Sequence, residues 1–180
     1  MSFARALAPV LIASGLFAVA RPAVAGAVAP GAMPRPDRYI GVIFGSVHVG
    51  NSTLNDVNPG LTYGRRWTLT PGGLDLYAEG GVFYNSYREV SPLALIGVSQ
   101  AIGRIGAARF SIGAGTGIAY YKRLSETLQR TYGIPNVGGF IPLATLTLSA
   151  QVGRLEYRLT TVPAAGDVQA IVNFSVAWHF

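Results

Sequence analysis

The chain holds two histidines, and one of them, His48, ends an alternating segment and runs into a polar connection, Asn51 to Asn58. A later alternating segment ends on Asn85-Ser86-Tyr87. An imidazole within reach of a serine hydroxyl can take its proton and free the oxygen to attack an ester carbonyl. The chemistry in view is therefore acyl transfer, with His48 as base and Ser86 as nucleophile or proton relay. The same two residues can equally serve as a hydrogen-bonded anchor at a loop edge, so both readings stay open. With no cysteine in the sequence, disulfides, thiolate zinc sites and cysteine nucleophiles are excluded. No metal-ligand spacing and no phosphate-cradling glycine motif occurs, so neither metal nor cofactor is expected.

For His48 and Ser86 to meet, separate segments must bring their ends to one rim. The last segment shows which elements do this. Val168, Ala170, Val172, Phe174, Val176, Trp178 and Phe180 fall on one face, opposite Gln169, Asn173, Ser175 and His179. A period of two is that of a strand with one apolar and one polar face. Working backwards, similar segments occur near Arg154–Leu159, Phe140–Ser149, Phe110–Tyr120, Glu89–Ile102, Leu74–Asn85, Leu61–Leu69 and Tyr39–Val49. Hydrophobic residues make up 50% of the 180 and charged residues only 12%. That is too apolar for an ordinary soluble domain, yet no long apolar run follows the N-terminus. The expected fold is all-β, an eight-stranded antiparallel up-and-down transmembrane β-barrel over 38–180. Residues 1–25 read as a signal peptide, with basic Arg5, an apolar stretch from Ala6 to Ala20 and small residues at Ala23-Val24-Ala25. Residues 26–37 read as a Pro/Ala/Gly-rich lead-in. Short turns at Pro71-Gly72-Gly73, Gly103–Gly106 and Gln151–Arg154 belong to the periplasmic side, and the long connection Lys122–Asn136 to the outside.

Parity and height then sort the lumen. Asp75, Glu79, Arg66, Arg154, Glu156 and Arg158 fall in the periplasmic half, where opposite charges can pair into a plug. The outer half draws Val42, Phe44, Gly81, Phe83, Gly115, Gly117, Ala119 and Leu143. Of these, Phe44, Gly81, Phe83, Gly115, Gly117 and Ala119 are candidates for an acyl-chain slot, since inward glycines withdraw the side chains that fill a narrow barrel. Glycine relieving crowding and easing strand bending explains the same pattern. His179 is expected as a solvated rim residue.

In this order and spacing the chain resembles the lipid A palmitoyltransferases of the Gram-negative outer membrane. The residues that carry the resemblance are His48, Asn58-Pro59-Gly60, Asn85-Ser86, the Gly-rich Phe110–Ala119, Phe140-Ile141-Pro142-Leu143-Ala144 and Val162-Pro163. The resemblance implies transfer of a palmitoyl chain from phospholipid to lipid A, with Asn85 standing where that family has an aspartate. An amide cannot supply the negative charge that holds an imidazolium. Pro59 and Pro163 interrupt the hydrogen-bond ladder and so are candidates for lateral lipid access, although proline is also common where strands end in loops. The expected partners are membrane lipids, both phospholipid and lipopolysaccharide, and the barrel-assembly machinery, addressed by the aromatic C-terminal strand of a monomer in the outer membrane. The competing reading is a non-catalytic structural or surface-binding barrel. A solute pore is disfavoured by the narrow, charge-blocked lumen, and nucleic-acid binding by the dispersed basic residues.

Overall fold

The computed structural model describes residues 37–49, 55–163 and 170–180. The signal peptide and nearly all of the lead-in lie outside these residues. The strands are β1 (Asp37–Val49), β2 (Gly60–Thr68), β3 (Leu74–Tyr84), β4 (Val90–Ile105), β5 (Ala108–Tyr120), β6 (Phe140–Val152), β7 (Leu155–Pro163) and β8 (Ala170–His179). Each pairs antiparallel with the next, and β1 closes onto β8, which makes a closed up-and-down barrel. Alternation decides what faces where. Val82, Ile96, Ile112, Leu146, Leu159 and Trp178 all stand exposed on the outer wall. An apolar belt on that scale needs lipid around it, as in a transmembrane barrel of the outer-membrane type. The C-terminal ends of β1, β3, β5 and β7 share one rim, here the loop rim, together with the described connections 85–89 and 121–139, and tight turns share the other. The longest connection contains an unexpected helix, α1 (Leu124–Tyr132). It buries Ser125 and Leu128 and stops at Gly133, whose φ of 67° allows a left-handed cap.

Strand β1 departs from simple parity. Its register against β8 shifts between Ile43 and Gly45. Below this bulge Tyr39, Gly41 and Ile43 are buried; above it Ser46 and His48 are. One inserted residue exchanges the two faces. Phe44 therefore does not line the lumen. It is 53% exposed and stacks on outward-facing Phe174 at 5.6 Å. Val42 faces out with it. Without the bulge the odd-numbered parity of Ile43 would continue and His48 would point into lipid.

The lower lumen is filled by paired charge. The Arg66 guanidinium donates to both oxygens of Glu156 at 2.9 Å. Arg158 bridges Glu156 (2.9 Å) and Glu79 (2.7 Å). The Tyr39 hydroxyl donates to Glu79 at 2.8 Å while its ring lies 4.4 Å beneath the Arg158 guanidinium. Charge balance here is what buried ions require. Two residues differ from the parity expectation. Arg154 is an exposed turn residue, because the β6–β7 hairpin closes at Gly153-Arg154. His179 is buried, with Nδ1 at 2.6 Å from Asp37 and Nε2 at 3.0 Å from Glu156.

Inward glycines prove to be seats for rings and neighbouring chain. A Cβ on Gly64 would overlap the Tyr39 ring, and one on Gly115 would meet the Tyr77 hydroxyl and Thr145. A Cβ on Gly81 would strike the Leu61 carbonyl, and one on Gly117 the Ala94 carbonyl. These glycines therefore make room for neighbouring rings and backbone at their own positions. Gly64→Ala should push Tyr39 off its bonds to the ion cluster and cost about 1–3 kcal/mol of stability, the usual range for overpacking. The urea midpoint of the heat-modifiable barrel band, compared with wild type, measures this.

Candidate active site at the loop rim

The bulge in β1 turns His48 inward just below the loop rim, and the β3–β4 hairpin brings Ser86 to it. The His48 side chain is 1% exposed. The Ser86 hydroxyl lies 2.7 Å from Nε2, and on the other side of the ring Nδ1 lies 2.8 Å from the Asp56 carboxylate. A carboxylate can only accept, so Nδ1 carries the proton and Nε2 is left to accept from the serine. Asp56, His48 and Ser86 thus form a continuous relay of the kind that activates a serine for acyl transfer. Asp56 itself is 60% exposed on its side chain.

Asp56 was not legible as an acid partner. It sits in a polar connection without periodicity, and only its backbone tie explains its position: the Ser46 N–H donates to the Asp56 carbonyl at 2.9 Å. Asn85, which the resemblance set beside the imidazole, is used elsewhere. Its Oδ1 accepts the N–H groups of Tyr87 (2.8 Å) and Glu89 (3.0 Å), and its Nδ2 donates to Ser91 at 2.8 Å. Fully buried, it knots the hairpin that presents Ser86, and Asp56 occupies the place beside His48.

A second amide does reach the serine. Asn58, 3% exposed, accepts the Ser46 hydroxyl proton on Oδ1. Its Nδ2 donates to the Tyr84 carbonyl at 3.1 Å and to the Ser86 oxygen at 3.3 Å.

Below Ser86 opens a cavity of about 150 Å³. Its upper wall is apolar, from Ile43, Phe83, Leu93, Leu95, Leu143 and Ile171, and it ends on Tyr39 and Arg158 of the ion cluster. Phe83 stands where parity put it; Leu93 and Leu95 were missed because β4 alternates too weakly to assign. Gly81, Gly115, Gly117 and Ala119 keep the inward parity of their strands but are backed by neighbours, and Ala119 is fully buried. Above the cavity Tyr121 meets Phe83 edge-on at 6.1 Å and Tyr87 at 6.4 Å. Burial, and then the neighbouring Tyr87, push the Tyr121 phenol up to about 12, and burial also raises Tyr87. Both remain neutral, so the mouth of the cavity is aromatic and uncharged.

The two prolines mark unlike seams. Pro59 precedes β2, and the β1–β2 ladder stops at Ile43↔Gly60. Across that seam the Ser46–Asp56 backbone bond holds the walls together, and the Pro59 carbonyl accepts the Tyr84 N–H at 2.8 Å. Pro163 ends β7 opposite Ala170 of β8. Among the described residues the β6–β7 ladder stops at Leu146↔Thr161, while Phe140–Thr145 of β6 pair only with β5.

No family model and no curated protein matches the chain. Among solved structures it is similar to the outer membrane protein Ail of Yersinia pestis in a phospholipid bilayer nanodisc. The two share 10% sequence identity over 81% of this chain and 99% of that chain, with a TM-score of 0.46.

Proposed function

We propose that this barrel is a lipid acyltransferase of the outer membrane, moving a fatty acyl chain from a phospholipid to lipid A or a similar outer-leaflet acceptor. The observation that carries the reading is His48 held between Asp56 and Ser86, with Ser86 opening onto an apolar-walled cavity. The chain of an acyl donor lies in that cavity with its ester carbonyl at the rim. Ser86 Oγ attacks the carbonyl carbon as its proton passes to His48 Nε2. Collapse of the tetrahedral species breaks the ester bond, and the leaving glycerol oxygen takes the proton back from His48. An acceptor hydroxyl then gives its proton to His48, attacks the acyl-serine ester and restores Ser86. Phe140–Thr145 of β6, which among the described residues pair with β5 and not with β7, supply a route by which a lipid chain passes sideways between wall and bilayer. Pro59 serves that purpose less well, since its seam is bridged.

A non-catalytic barrel is favoured by one observation: the same bonds tie connection 55–59 and hairpin 85–89 to β1, as a loop anchor for surface binding would. Mass spectrometry of lipid A and phospholipids separates the two. Cells making the wild type should gain a lipid A species heavier by one acyl chain together with lysophospholipid, and cells making Ser86→Ala should not. A folded wild type that leaves both lipid pools unchanged sinks the enzyme reading and leaves the anchor.

A further inference from the structure

Resting on the acyl-transfer reading, we infer that Asn58 is the residue that stabilises the oxyanion formed on the substrate carbonyl. The orientation of its amide is set by its surroundings. The Tyr84 carbonyl has no proton to give, so the atom facing it at 3.1 Å must be the nitrogen, and Ser46, donating its hydroxyl proton, must face the oxygen. That leaves the second proton of Nδ2 directed at Ser86, 3.3 Å away. This contact is long for a bond to the resting hydroxyl. When Ser86 Oγ joins the carbonyl carbon, the negative oxygen lies two bonds from Oγ, and a carbonyl presented toward the Asn58 N–H brings that oxygen within reach of a donor already beside Oγ. A donor that is slack toward the ground state and tightens on the developing charge is the requirement for oxyanion stabilisation. Burial sharpens the effect. Asn58 is 3% exposed and locked by Ser46 and Tyr84, so it needs no reorganisation when charge develops. It also lines the same cavity as Ser86. The side-chain donation that Asn85 makes goes to Ser91, away from Ser86.

The test uses the refolded full barrel in detergent micelles, with p-nitrophenyl palmitate and p-nitrophenyl octanoate as acyl donors. Asn58→Ala should lower kcat by about 10²–10³-fold, the usual loss for one such donor, with KM held within about threefold. Asn58→Asp, which keeps the shape, serves if the alanine variant does not fold, and it should lose at least as much because its carboxylate repels the oxyanion. The thionoester analogues give a readout that a merely structural role would not move. Sulfur accepts the Asn58 proton poorly, so wild type should strongly prefer the oxygen ester, and that preference should shrink in either variant. A folded variant with unchanged kcat, or with the wild-type preference for oxygen over sulfur, overturns the assignment of Asn58. Wild type inert toward both esters, with Ser86 unlabelled by a fluorophosphonate, overturns the acyl-transfer reading itself and the Asn58 assignment with it.

Discussion

On the proposed acyl-transfer reading, alanine at Ser86 or at His48 is expected to lower the rate by about 10⁴–10⁶-fold, and Asp56→Asn by about 10²–10³-fold, when initial rates are followed in mixed micelles of phospholipid and acceptor. The grading follows from what each group does. In the proposed mechanism Ser86 is the nucleophile and His48 takes its hydroxyl proton across 2.7 Å, so either loss removes the whole relay. Asp56 acts through His48. It fixes which nitrogen carries the proton and steadies the imidazolium once it forms. Its carboxylate is 60% exposed, so water screens part of its field and the loss on neutralising it is smaller than for a buried acid. The companion substitution is Asn85→Asp. It places an acid where the resemblance called for one, yet should give no gain in rate. Its cost is in stability, about 1–3 kcal/mol, because the donor to buried Ser91 is removed. A rate that rises in Asn85→Asp and stays level in Asp56→Asn would assign the acid to the wrong residue here.

The contrast between Asp56 and Asn85 shows how far the sequence could be read. The strands announce themselves by period, and so does the rim on which His48 and Ser86 meet, since an up-and-down barrel sends the ends of its first and third strands to the same side. Loop residues have no period. Asp56 reaches His48 only because the Ser46 N–H pins the Asp56 carbonyl to β1, a contact between positions that no alternation links. Parity also fails silently at a bulge. Counting by twos sets His48 on the same face as Phe44, yet of the two only His48 faces the lumen. Phe44 faces lipid, and the extra residue between Ile43 and Gly45 restores His48 to the lumen. The glycines left two readings open for a different reason. An inward glycine looks like withdrawn volume along one strand, whereas Tyr39 on the neighbouring strand lays its ring over its partner Gly64, and Tyr77 reaches past β4 to Gly115. The lower charges were legible as a set because opposite signs gathered at one height, and burial demanded that they pair.

Glu156→Ala is the substitution expected to cost the most stability, about 3–5 kcal/mol, the range for breaking a buried ion pair from one side. Glu156 is 2% exposed and accepts from Arg66, Arg158 and His179 together. Its removal leaves Arg66 with no carboxylate partner inside a lumen from which it cannot reach water freely, and Arg66 already has one buried N–H unsatisfied at Nε. Arg158 keeps Glu79, which is why the loss stays below that of two stranded cations. Glu156→Gln keeps the shape and one acceptor, so it should fall between alanine and wild type. Urea unfolding of the barrel in lipid vesicles, read by the heat-modifiable band and by tryptophan emission, measures the difference. A loss under about 1 kcal/mol would mean that the cluster is hydrated and screened like a surface pair. The cluster is also the floor on which the cavity ends, because Tyr39 and Arg158 line its base. Planar-bilayer recordings should therefore be silent for wild type and show conductance steps for Glu156→Ala, since the barrel is kept closed by this pairing of charge and by the Tyr39 ring stacked beneath Arg158.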